Sequence, residues 1–192
     1  MSENLLQLPA DLPVPENDGA ADHLPGLTVP PVGLMATDGT TVGLSSLAGI
    51  VVVYAYPMTG RPGRELPPGW DDIPGARGCT AETCSFRDHH TQLLEAGASA
   101  VFGLSTQSHG EQREMVERLH VPYPVLSDMN LEFTAAMRLP TFSVEGRTLL
   151  RRLTMVLQNG RVDTVFYPVF PPDEHPAEVL AHLQSRTSGQ SV

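Results

Sequence analysis

The stretch GIVVVYAY, residues 49–56, limits what this chain can fold into more than any other. It is β-branched and aromatic with no alternation of polar residues. A strand facing water on one side alternates, whereas an unbroken apolar strand is covered on both faces. The fold therefore needs a buried central sheet with layers above and below it, and the remaining sequence must supply helices with one apolar face.

Those helices can be read from the residues. Phe86, His90, Leu93 and Leu94 recur at i, i+4, i+7 and i+8, one face of a helix that Gly97 should end. Ser108 followed by Glu111 is a capping-box pattern that opens a second helix. Leu131 to Leu139 reads as a third, stopped by Pro140, and DEHPAEVLAHLQS as a fourth with Pro176 in its first turn. Between them lie strand patterns: LTVPPVGLMATDGTTVGLSSL as a pair turning at Asp38-Gly39, AVFGLS, VPYPVLSD, and a hairpin around Asn159-Gly160. The order β-β-β-α-β-α-β-α-β-β-α describes an α/β domain with a mixed central β-sheet flanked by helices. Residues 1–26, rich in proline and acidic residues, read as a flexible or surface-draped arm. The domain is expected over residues 27–186, with a tail at 187–192.

Composition removes several classes of function. A net charge of −10, from 12 basic and 22 acidic residues, argues against nucleic-acid backbones and anionic membrane surfaces. The N-terminus shows no basic and apolar leader pattern, and no apolar run approaches the roughly 18 residues of a membrane span. The default address is the cytoplasm, where thiols stay reduced and a permanent structural disulfide is not expected.

The chemistry-bearing feature is GARGCTAETCSFRDHH, residues 75–90, which holds the only two cysteines, Cys79 and Cys84. It follows a long irregular segment, Pro57 to Gly78, with five prolines and the only tryptophan, Trp70. Irregular segments beyond about 12–15 residues in compact domains are functional or disordered. Residues five apart on an α-helix have Cα atoms about 9 Å apart, from the rise and turn per residue. A disulfide needs less than about 7 Å. If both cysteines lie on the helix, a bond requires its first turn to unwind, which makes the pair a switch. Cys79, in the first turn, faces free N–H groups that lower a thiol pKa, while Cys84 should be a more ordinary thiol. A low-pKa thiolate beside a second cysteine suits peroxide chemistry, thiolate to sulfenic acid to disulfide. The plainer reading is two core cysteines with no role. A metal site from Cys79, Cys84, His89 and His90 converges poorly on a tetrahedron, because adjacent histidines point to different faces. His90 fits a core histidine better than a ligand.

The segments DGTTVGLSSLAGIVVVYAYP, GCTAETCSFRD, VFGLSTQS, YPVLSD and RRLTMVLQNGRVDTVF, in that order, resemble the peroxiredoxins of the PrxQ or bacterioferritin-comigratory-protein type. The resemblance runs from about Leu27 to Leu183 and implies a thioredoxin-like fold. It also implies reduction of hydrogen peroxide or organic hydroperoxides without metal, flavin or other cofactor. Cys79 matches the peroxidatic cysteine and Cys84 the resolving one. Arg152 matches the arginine that holds the thiolate, with Arg151 one position away. A thioredoxin-like or other dithiol reductant and a monomeric or dimeric state go with that reading. One departure stands out: Ala76 occupies the place, three residues before Cys79, where the family carries a hydroxyl. Thr59, across the Pro57–Gly78 insertion, is the candidate to fold back and supply it. The rival readings are a thiol–disulfide oxidoreductase on the same fold, or a peroxide sensor or binding protein without turnover.

Overall fold

A computed structural model describes residues 7–189. Its strands are β1 (Gly33–Ala36), β2 (Thr41–Gly43), β3 (Ile50–Ala55), β4 (Ala98–Ser105), β5 (Val125–Ser127), β6 (Thr141–Val144), β7 (Arg147–Leu150), β8 (Leu153–Gln158) and β9 (Arg161–Phe166). The helices are α1 (Cys79–Glu95), α2 (His109–Leu119), α3 (Glu132–Met137) and α4 (His175–Gly189). Seven strands form one sheet in the order β2-β1-β5-β4-β3-β8-β9. β3, β4 and β5 run parallel and the outer pairings are antiparallel, so the sheet is mixed.

β3 shows why its sequence lacks alternation. Val51, Val53 and Ala55 point into one core, with Leu34, Phe133, Met137 and Met155. Val52, Tyr54 and Tyr56 point into the other, with Phe86, Leu93, Met115, Val179 and Leu183 from α1, α2 and α4. Each fully buried side chain of this size contributes about 1.5–3 kcal/mol, and β3 collects that contribution on both faces.

Local signals are realised much as the residues suggest. Ser108 and Glu111 form the reciprocal capping box of α2. Gly97, at φ 103°, follows the end of α1, where its N–H donates to Leu94 O. The hairpin of β8 and β9 turns on Asn159 and Gly160, both at positive φ.

Two regions differ from the sequence expectation. Residues 141–150 form an additional hairpin, β6 and β7, separate from the main sheet and turning on Glu145-Gly146. Within the stretch read as an arm, Ala21 and Leu24 are buried in the main core, and Gly26 N–H donates to Val162 O. Further upstream the chain crosses the start of α1, where Pro15 lies against Gly75 and Leu8 against Gly78. Residues 1–6 and 190–192 of the expected arm and tail lie outside the described residues.

Candidate active site

Cys79 is the first residue of α1, and the backbone bends into the helix at Gly78, in the left-handed region at φ 103°. A side chain there would be strained and would also collide. A Cβ on Gly78 would lie 2.5 Å from Pro172 Cγ and 2.9 Å from Leu8 Cδ2. The tight entry buries Cys79 to 2% exposure under the preceding loop.

Arg152, just before β8, reaches the sulfur from the sheet. Its Nη2 donates to Cys79 Sγ at 3.2 Å and to the carbonyls of Arg77, Gly75 and Ala76 at 3.1, 3.3 and 3.4 Å. Its Nη1 pairs with Glu82, one helical turn after Cys79 and fully buried. Arg151 is half-buried beside Pro15 and Tyr167, so the structure separates the two neighbouring arginines. The backbone N–H of Met58 also donates to the sulfur. The thiol itself points at Ala76 O, 3.5 Å away. Position 76, without a hydroxyl, therefore contributes its carbonyl.

Electrostatics at the sulfur depart from the sequence expectation of a low-pKa thiolate. Burial pushes the Cys79 thiol up, and this exceeds the pull of Arg152 and of the Met58 N–H; the Glu82 carboxylate pushes it up further. Burial also raises Glu82 to about 7, despite Arg152 beside it. The other carboxylate oxygen of Glu82, Oε1, has no hydrogen-bond partner among the described residues. One guanidinium is thus shared by two acids, and the Glu82 carboxylate works against the Cys79 thiolate. Glu82 was not singled out by sequence reasoning. Its signal was the i, i+3 spacing from Cys79 in the first helical turn, which places both on one face.

Cys84 lies one turn deeper on α1, half-buried at the edge of the second core, and neither cysteine is in a disulfide. Burial raises its pKa too, with Arg87 opposing. Thr59, next to Met58 in the chain, does not line the recess beside Cys79; its hydroxyl donates to Gln107 Oε1 at 3.1 Å, and its N–H donates to the same oxygen at 2.9 Å. His90 packs against Tyr123 in a tilted arrangement with ring centroids 5.1 Å apart, and burial lowers its pKa. Among the described residues, no three His, Cys, Asp or Glu side chains gather as metal ligands.

A family model described as Redoxin matches residues 22–182. Peroxiredoxin Q from the chloroplast of Sedum lineare is 34% identical over 175 residues, covering 90% of this chain and 84% of the relative. The chain belongs to the peroxiredoxins. The putative peroxiredoxin bcp of Coxiella burnetii is 28% identical over 159 residues, covering 80% of this chain and 94% of its own. Among solved structures, peroxidoxin BcpB of Mycobacterium tuberculosis superposes with a TM-score of 0.66 at 28% identity, over 85% of this chain and 98% of that one. The type is PrxQ/bacterioferritin-comigratory protein, the fold is thioredoxin-like, and the protein is a thiol peroxidase that takes a hydroperoxide and a thiol reductant. No helix among the described residues is long and apolar enough to cross a membrane.

Proposed function

We propose that this peroxiredoxin reduces hydrogen peroxide or organic hydroperoxides with Cys79 as the peroxidatic and Cys84 as the resolving cysteine. The observation that carries the assignment is the Arg152 guanidinium 3.2 Å from Cys79 Sγ at the N-terminus of α1. A fixed guanidinium and N–H groups aimed at one sulfur favour the thiolate and the charge that develops on the departing oxygen. The Cys79 thiolate attacks one peroxide oxygen, the S–O bond forms as the O–O bond breaks, and the departing oxygen leaves protonated as water or alcohol. Cys84 then attacks the sulfenic acid, an S–S bond forms and water leaves. Because both cysteines sit on α1, its first turn unwinds for this step. A thioredoxin-like or other dithiol returns two electrons and the helix reforms. Thr59 acts through Gln107, fixing the loop that aims the Met58 N–H at the sulfur. The cycle fits a cytoplasmic monomer or dimer that needs neither nucleic acid nor membrane.

The test is intact mass after one equivalent of hydrogen peroxide. Expected are loss of two hydrogens in the parent, gain of one oxygen in Cys84→Ser, and no change in Cys79→Ser. Oxygen gain in Cys79→Ser with none in Cys84→Ser would reverse the assignment.

A further inference from the structure

Cys79 is only 2% exposed, so the space beside its sulfur decides what can reach it. Cys79 lines a recess of about 10 Å³ together with Met58, Gly60, Leu66 and Trp70. That volume is near the limit for a single water, which needs roughly 10–15 Å³. Met58, Gly60 and Leu66 also line a second, outer cavity of about 360 Å³ beneath the 57–78 segment. The two spaces therefore share one partition, and its side chains are those of Met58 and Leu66.

The partition is held in place from both sides. Arg147 Nη1 donates to Met58 Sδ at 3.5 Å, while Nη2 of the same residue reaches Glu111 at 3.5 Å. Met58 packs with Trp70, Ala76 and Leu149 in a small core of its own, against which Leu66 and Phe142 rest. Arg61, Arg64, Glu65 and Glu145 stand around the outer cavity, so a long apolar tail there would lie against charged groups.

We infer that the outer cavity is the vestibule through which peroxide approaches Cys79, and that the Met58–Leu66 partition selects hydrogen peroxide and small polar hydroperoxides over bulky apolar ones. This rests on Cys79 being the peroxidatic cysteine. A peroxide O–O unit fits the recess with a small yield of the partition. A cumyl or acyl substituent stays in the vestibule, and its hydroperoxide reaches the sulfur only when Met58 and Leu66 part.

Rate constants for Cys79 oxidation by hydrogen peroxide and by cumene hydroperoxide, followed by Trp70 fluorescence and by mass, test this. The parent should react at least tenfold faster with hydrogen peroxide. Leu66→Ala should narrow that ratio fivefold or more, through the cumene hydroperoxide rate, and Met58→Ala should narrow the ratio as well, whatever it does to the hydrogen peroxide rate through the N–H that faces the sulfur. Leu66 is half-buried, so its variant carries the test should Met58→Ala fail to fold. A parent ratio near one, or a ratio unmoved in the folded variants, overturns the vestibule while leaving Cys79 as the reacting thiol. A parent whose Cys79 hydrogen peroxide does not oxidise overturns the peroxidatic assignment, and this inference with it.

Discussion

The two cysteines share one helix and differ in almost everything that faces them. Cys79 is the more buried, yet an arginine, a backbone N–H and the helix start converge on its sulfur. Cys84 is more accessible, and the charges that act on it are Arg87, Asp88 and Arg118, two of one sign and one of the other. Burial is the largest cause raising both thiols. Accessibility would favour Cys84 as the reacting thiol and directed donors favour Cys79. The proposed assignment has reactivity follow the donors, because a charge in a low-dielectric site is stabilised only by groups already aimed at it.

The strongest way to break that contrast is to blunt Arg152. Arg152→Lys keeps the charge but loses the planar fork that spans Cys79, Glu82 and three carbonyls. Peroxide oxidation of Cys79 should slow by about a hundredfold, the usual cost of one lost oxyanion donor, while alkylation of Cys84 stays unchanged. Equal slowing at both sulfurs in competition alkylation would show a general disruption instead.

The next largest effect is structural. Gly78→Ala places a Cβ against Pro172 and Leu8 at a left-handed residue, and should cost about 2–4 kcal/mol in denaturant unfolding, strain and overpacking together. A cost below about 0.5 kcal/mol would mean that the tight entry into α1 has slack.

Glu82→Gln sharpens the comparison from the acid side. It removes the carboxylate that pushes the Cys79 thiol up and keeps an acceptor for Arg152, so the thiol pKa should fall. Thiolate absorbance against pH reads this directly, and a rise would refute the shared-charge picture. Stability carries a second sign. Glu82 is raised from 4.5 to about 7, so the folded state favours its protonated form. That contribution is present below pH 4.5 and lost as pH climbs through about 7, and Glu82→Gln should flatten the loss.

Thr59→Val is the mildest change. With its hydroxyl on Gln107, losing it should reduce the Cys79 rate by less than about tenfold, since one neutral hydrogen bond contributes about 1 kcal/mol. A loss as large as that of Arg152→Lys would mean that the hydroxyl acts on the peroxide itself.

The same contrast explains what was legible in the sequence. β3 declared a double-sided sheet because every position in it is apolar, and Ser108 with Glu111 carried its own hydrogen-bond logic. The β6–β7 hairpin was missed because Glu145-Gly146, with both residues at positive φ, is not the Asn-Gly or Asp-Gly pair that signals such turns. The packing of Ala21 and Leu24 was hidden because small or isolated apolar residues in a polar stretch show no period. At the site, the meeting of Arg152 with Cys79 was readable from the resemblance. The direction of the Cys79 pKa was not, because it depends on burial under residues 57–78 and on Glu82 opposing Arg152, both of which exist only once the chain has folded.

The most direct measurement is to add substoichiometric hydrogen peroxide to the reduced protein in the presence of dimedone, which traps sulfenic acids, and to locate the adduct by peptide mass. The account expects the adduct on Cys79, the more buried sulfur, with Cys84 unmodified. An adduct mainly on Cys84 would contradict it, and would show that access rather than directed donors decides which sulfur reacts.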